Sequence, residues 1–193
     1  MAISNVIEYV TIASMANAAD FGDLTVARGY LGAGIMSSTR GVWCSGLAPA
    51  VSDVMDYITI ASTGDATDFG NMTISATRTA GTSSGTRGIL MGGSPDSGSN
   101  GSNVIGYITI ASAGDATDFG DLTTATFAAG ATSNSIRAVI GGGKSPNSST
   151  LVNVMEYVTI TSTGNATDFG DMLAGTTRSD LSAAADAHGG LQG

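Results

Sequence analysis

The chain has 193 residues, a net charge of −9, only 12% charged residues, 42% hydrophobic residues and 28 glycines. The hydrophobic content excludes a disordered chain, and the scarcity of Leu, Glu and Lys (Lys144 is the one lysine) excludes a mostly helical one. The acidity argues against nucleic acid and anionic membrane surfaces as partners, because both need clustered Lys and Arg.

The first element predicted along the chain is a strand over residues 6–12, within the repeated segment 5–14. Here β-branched and aromatic residues (Val6, Tyr9, Val10, Ile12) alternate with polar ones. A turn leads to a shorter strand through residues 18–25, which carries Asp20, Phe21 and Gly22. Two further strands are predicted, one among small residues at 30–38 and one over 41–46, after Thr39 and Arg40. The pattern then repeats. The tyrosines Tyr9, Tyr57, Tyr107 and Tyr157 are spaced by 48, 50 and 50 residues, and Phe21, Phe69, Phe119 and Phe169 keep the same spacing. A third block recurs around Arg40, Arg87 and Arg137, with a worn or truncated fourth copy around His188. Repeats of about 5–52, 53–102, 103–152 and 153–193 follow, organised as one domain over residues 1–193.

Four short strands in about 50 residues is the size of a propeller blade. The small residues Ala33, Gly34, Ala80, Gly81, Ala129 and Gly130 suit strands crowded around an axis. The Gly-, Ser-, Pro- and Asn-rich stretches 92–103 and 141–153 differ between copies, as surface loops on a repeated scaffold do.

These residues resemble kelch repeats. Gly92 and Gly93 precede Tyr107 and Phe119, Gly142 and Gly143 precede Tyr157 and Phe169, and Arg28 and Arg78 follow the outer strand. The chain departs from the family in using Phe where tryptophan is usual, and in having only Ser45 and Gly46 for the first glycine pair. The resemblance implies an all-β fold, a four-bladed kelch-like β-propeller. Its first blade would be closed by N-terminal strands near 6–12 and 18–25 together with residues 173–193. The alternative is that two chains pair their ends into a larger ring or a filament. The repeat phrase Tyr-Ile-Thr-Ile-Ala-Ser-Thr-Gly-Asn-Ala-Thr-Asp-Phe-Gly-Asp-Leu, carried with small variations by all four copies, is also similar to repeats in virion proteins of marine tailed phages, cyanophages in particular. That similarity implies a virion structural protein, either a capsid decoration or a tail-associated module, whose partners are other virion proteins. The competing expectation is an adhesin domain of a tail fibre that binds a host-surface glycan or protein. The N-terminus shows no basic region followed by an apolar run, and no stretch reaches the ~18 apolar residues of a membrane span. Synthesis in a host cytoplasm without a signal peptide, and no membrane insertion, are therefore expected.

No enzymatic role and no cofactor are expected. His188 is the only histidine, too few for a triad or a histidine metal cluster. Cys44 is the only cysteine, so no intrachain disulfide can form, and it is expected to be buried in a strand. The carboxylates Asp65, Asp68, Asp115, Asp118 and Asp121 lie close to glycines, the one pattern that could suit calcium. Their recurrence in every unit favours a turn-making role instead. Arg40, Arg87 and Arg137 recur in register, and would either bind an acidic sugar or pair with a carbonyl or Asp of a neighbouring blade. Glu8, Asp56 and Glu156 share a register that Gly106 breaks, which leaves a catalytic carboxylate set unsupported.

Overall fold

The computed structural model describes residues 3–146, 150–173 and 178–184. Among these residues there are fourteen strands and no helix. They are β1 (Ser4–Tyr9), β2 (Ala19–Arg28), β3 (Gly34–Met36), β4 (Arg40–Cys44), β5 (Val54–Thr59), β6 (Thr67–Asn71), β7 (Ala80–Ser83), β8 (Arg87–Met91), β9 (Ser102–Thr109), β10 (Thr117–Thr126), β11 (Gly130–Ser133), β12 (Arg137–Gly141), β13 (Val154–Thr159) and β14 (Thr167–Asp171). The chain is thus all-β.

The strands form four antiparallel sheets. β1 pairs with β2, and three four-stranded meanders follow: β3-β4-β5-β6, β7-β8-β9-β10 and β11-β12-β13-β14. Sheet boundaries are offset from the repeat boundaries. Each of the first three repeats gives its first two strands to one sheet and its last two to the next. Among the described residues β1 and β2 pair only with each other. The closure expected from residues 173–193 falls largely outside the described residues.

One irregularity is built into every repeat. In β1–β2, Ile7 pairs with Gly22 and Glu8 with Asp20, so Phe21 is the extra residue of a β-bulge. The same shift leaves Phe69, Phe119 and Phe169 unpaired in their ladders. The bulge turns each Phe edge-on to the tyrosine of the adjoining strand, at 5.9 Å between ring centroids in all four repeats. Such a pair contributes ~0.5–1.5 kcal/mol beyond its buried area.

Of the small residues named above, Ala33 and Gly81 lie where two sheets meet, whereas Gly34 is exposed with open space around it. A Cβ on Gly81 of β7 would sit 2.4 Å from the Ala33 side chain just before β3. The hydroxyl of Ser83 donates to the Met36 carbonyl, and that of Ser133 donates to the Ser83 carbonyl. β3, β7 and β11 therefore run side by side, one from each four-stranded sheet, at a spacing that larger side chains would not allow.

Candidate functional site: the joints between repeats

The repeated motifs converge on the contacts between successive repeats. At the first joint the Gly64 N–H donates to the Phe21 carbonyl (2.7 Å) and the Ala66 N–H to the Asp23 carbonyl (2.8 Å). The Asp23 N–H donates to Asp65 Oδ1 (3.0 Å). At the second joint the same three bonds join Gly114 to Phe69, Ala116 to Asn71, and Asn71 to Asp115. At the third they join Gly164 to Phe119, Ala166 to Asp121, and Asp121 to Asn165. The backbones meet so closely that a Cβ on Gly22, Gly70 or Gly120 would lie 2.3–2.6 Å from main-chain atoms of the next repeat's turn. These three glycines also hold φ between +132° and +148°, so both space and conformation demand glycine.

Around these bonds sits a small apolar cluster of constant design. It comprises Phe21, Leu24, Ile58 and Ala66 at the first joint, with Phe119, Leu122, Val158 and Ala166 at the third. At the second, Phe69, Met72 and Ile108 pack with the half-buried Ala116. Ladder bonds within a sheet and this cluster between sheets thus divide the cohesion of the array.

The carboxylates considered for calcium are distributed over these joints. Asp65 and Asp115 accept main-chain N–H groups of the preceding repeat. Asp68 accepts the Gly70 N–H two residues on. Asp118 is exposed in the β10 ladder opposite Gly106, and Asp121 uses its main chain at the third joint. Among the described residues no three of His, Cys, Asp and Glu gather at one point.

The register arginines act alike. The Arg40, Arg87 and Arg137 guanidinium groups stack on Tyr57, Tyr107 and Tyr157 at 4.3–4.6 Å. Arg40 also donates to the Ile110 carbonyl (3.0 Å) and Arg87 to the Ile160 carbonyl (2.8 Å), each reaching the following sheet. Arg40 and Arg87 thus pair with carbonyls, one of the expected alternatives, while Arg137 is exposed.

A charged joint was not foreseen. Arg28 Nη2 donates to Asp56 Oδ2 at 2.5 Å, with both side chains fully buried, and the Thr25 hydroxyl donates to Asp56 Oδ1. Among the described residues Arg28 Nε and Nη1 have no partner. At the third joint Glu156 fills the place of Asp56, accepting from the Thr123 N–H, the Thr123 hydroxyl and the Thr124 N–H. At the second joint Gly106 stands there, and the Thr73 hydroxyl lies 3.1 Å from where its Cβ would be. The broken register of acids is thus a set of joint-filling groups. A signal was present: Arg28 stands where the next two repeats carry Ala76 and Thr126, facing an acid one repeat on. Arg28 and Arg78 are not equivalent, since Arg78 matches Tyr30, on whose ring it stacks at 4.5 Å.

Cys44 is fully buried in β4. Burial pushes its thiol up to about 12, against a partial lowering by the nearby Arg28 guanidinium. In the 92–103 loop, Asp96 Oδ1 accepts the Ser99 and Asn100 N–H groups and the Ser94 hydroxyl. These bonds, the Asn100 N–H foremost, hold its carboxyl well below the usual carboxylate range. His188 lies outside the described residues.

The four repeats also meet at a cavity of about 130 Å³, lined by Leu31 and Gly32, Arg78 and Thr79, Ala128 and Ala129, and Asp180 and Leu181. Beside it runs a string of main-chain bonds. The Arg78 N–H donates to the Tyr30 carbonyl, Ala128 to Arg78, and Asp180 to Ala128. All four residues have φ of 51–57°. No described helix is long and apolar enough to cross a membrane. No protein-family model matches the chain, and a search of curated proteins finds no match.

Proposed function

We propose that this chain is a structural protein of a tailed-phage virion. It carries four blades of a kelch-like β-propeller and decorates the capsid or a tail-associated part of the particle. One observation carries this reading. The side chains repeated in every unit (Tyr, Phe, Arg and the turn Asp or Asn) are engaged in stacking, carbonyl pairing and inter-repeat bonds, so the repeated chemistry serves architecture. The Gly-, Ser-, Pro- and Asn-rich stretches 92–103 and 141–153 also differ between copies, and in this reading they are the surfaces that face other particle proteins. The similarity of the repeat phrase to virion repeats supports the location. The test is fractionation of gradient-purified particles of the phage that encodes the chain, probed with antibody to the purified protein. Co-sedimentation with intact particles, and gold label on capsid or tail, is expected. Recovery of the chain only in the soluble lysate would overturn the reading.

A further inference from the structure

Among the described residues there are three copies of one joint and, on β14 and on the β1–β2 turn, the two halves of a further one that do not meet each other. On the β14 side, Phe169 is 51% exposed, whereas Phe21, Phe69 and Phe119 are 2–8% exposed. Nothing lies within 4 Å of a Cβ on Gly170, where its three counterparts meet main chain. On the β1 side, Val10 is 59% exposed, whereas Ile58, Ile108 and Val158, in the same register, are 3–9% exposed. Ala18 is exposed, whereas its counterparts Ala66 and Ala166 are buried and Ala116 half-buried. The counterparts of Asn17, which are Asp65, Asp115 and Asn165, each accept an N–H of the preceding repeat. The polar contact is halved in the same way. Arg40 and Arg87 donate to the carbonyls of Ile110 and Ile160, while the next arginine, Arg137, is exposed at one end and Ile12 is 98% exposed at the other.

We infer that these halves dock on each other between two copies of the chain, head to tail, with β14 of one copy receiving the β1–β2 turn of the next. The occupant is specified by the molecule. The Phe, Gly and Asp171 edge is built to accept a Gly/Asn-turn with an Ala behind it and a β-branched residue beside it, and the start of the same chain offers Asn17, Ala18 and Val10. Three worked examples inside the chain fix the register: the Asp171 N–H to Asn17 Oδ1, Phe169 against Val10 and Ala18, and Arg137 to the Ile12 carbonyl. Such an interface is heterologous, so it closes into a ring when the rotation permits and extends into a filament otherwise. The inference rests on the joints alone and stands apart from the particle location.

Sedimentation velocity over a range of protein concentrations tests it. Wild type is expected at multiples of the 19.1 kDa chain, with the average mass rising with concentration. Phe169→Asp and Val10→Asp, each at an already exposed position, are expected to give the single-chain mass with an unchanged circular dichroism spectrum. Short-linker thiol cross-linking then separates copies from self-closure. Asn17→Cys and Asp171→Cys placed on different chains and mixed are expected to give a covalent pair of twice the chain mass. Wild type at the single-chain mass at every concentration would overturn the inference. So would a chain carrying both cysteines that cross-links only within itself.

Discussion

Removing the Asp56 carboxylate tests how the first joint is held. In Asp56→Ala the Arg28 guanidinium keeps its place with a fully buried side chain, yet loses its one acceptor, and its Nε and Nη1 already have none among the described residues. The Thr25 hydroxyl loses its acceptor as well. Orphaning a buried charge costs ~3–5 kcal/mol. At ~2–4 °C per kcal/mol for a chain of this size, the midpoint falls by ~6–20 °C. The second joint, with Ala76 and Gly106 in these places, shows that the architecture does not require the charges. Arg28→Met together with Asp56→Ala, which removes both, is therefore expected to recover most of the loss. Urea unfolding of wild type, both single variants and the double variant closes a double-mutant cycle, in which a coupling of ~2 kcal/mol or more is expected. Additive single effects, or an Asp56→Ala variant within ~0.5 kcal/mol of wild type, would refute the account, since a cost that small is typical of surface substitutions.

The same residue in different repeats provides further comparisons. Phe119→Ala is expected to destabilise by ~3–5 kcal/mol and Phe169→Ala by far less in the single-chain state, measured by urea unfolding at low protein concentration. Gly120→Ala combines a left-handed φ with a main-chain clash. It should therefore unfold at clearly lower urea than Gly170→Ala, which meets only the conformational strain of ~1–3 kcal/mol. Cys44 holds its proton to about 12 in the folded chain, against 9.0 as the ordinary value. The unfolded chain loses that proton first, so the stability difference between wild type and Cys44→Ala should shift against wild type as pH rises from 9.0 toward 12. A thiol reagent at pH 8 should correspondingly label Cys44 only after urea is added. Prompt labelling of the native chain would show that the thiol is accessible.

Much of the architecture was legible because repetition supplies its own alignment. The strands near Tyr9, Tyr57, Tyr107 and Tyr157 follow from residue type plus register. For Arg40 and Arg87 the register left a sugar ligand and a carbonyl partner both open. For Asp65 and Asp115 it suggested a local turn, where the carboxylates bridge to the preceding repeat. The strand boundaries were looser. The stretch 30–38 holds only the three residues of β3, because a left-handed residue at Tyr30 and the approach of the next repeat at Gly32 delay the ladder. The Arg28–Asp56 pair was hidden by a false equivalence. Arg28 and Arg78 are 50 residues apart, while the first repeat is 48 long, so spacing suggested one role where there are two. The bulge at each Phe was equally invisible, since a one-residue ladder shift leaves no mark in a single strand's pattern.

The string of left-handed residues through Tyr30, Arg78, Ala128 and Asp180 has a consequence for how such a chain can change. The residues have unrelated side chains, and the link that recurs from each to the next is peptide N–H to peptide carbonyl. The joint at Gly22, Gly70 and Gly120 likewise repeats the same pair of main-chain bonds beside its side-chain cluster. A coupling written in backbone atoms is indifferent to which unit stands on either side of it. Duplicating or deleting a whole unit therefore preserves this main-chain coupling, and length can change in steps of one repeat. The side chains must still match: loss of the second unit would set Arg28 opposite Gly106, with no Asp56 carboxylate to receive it.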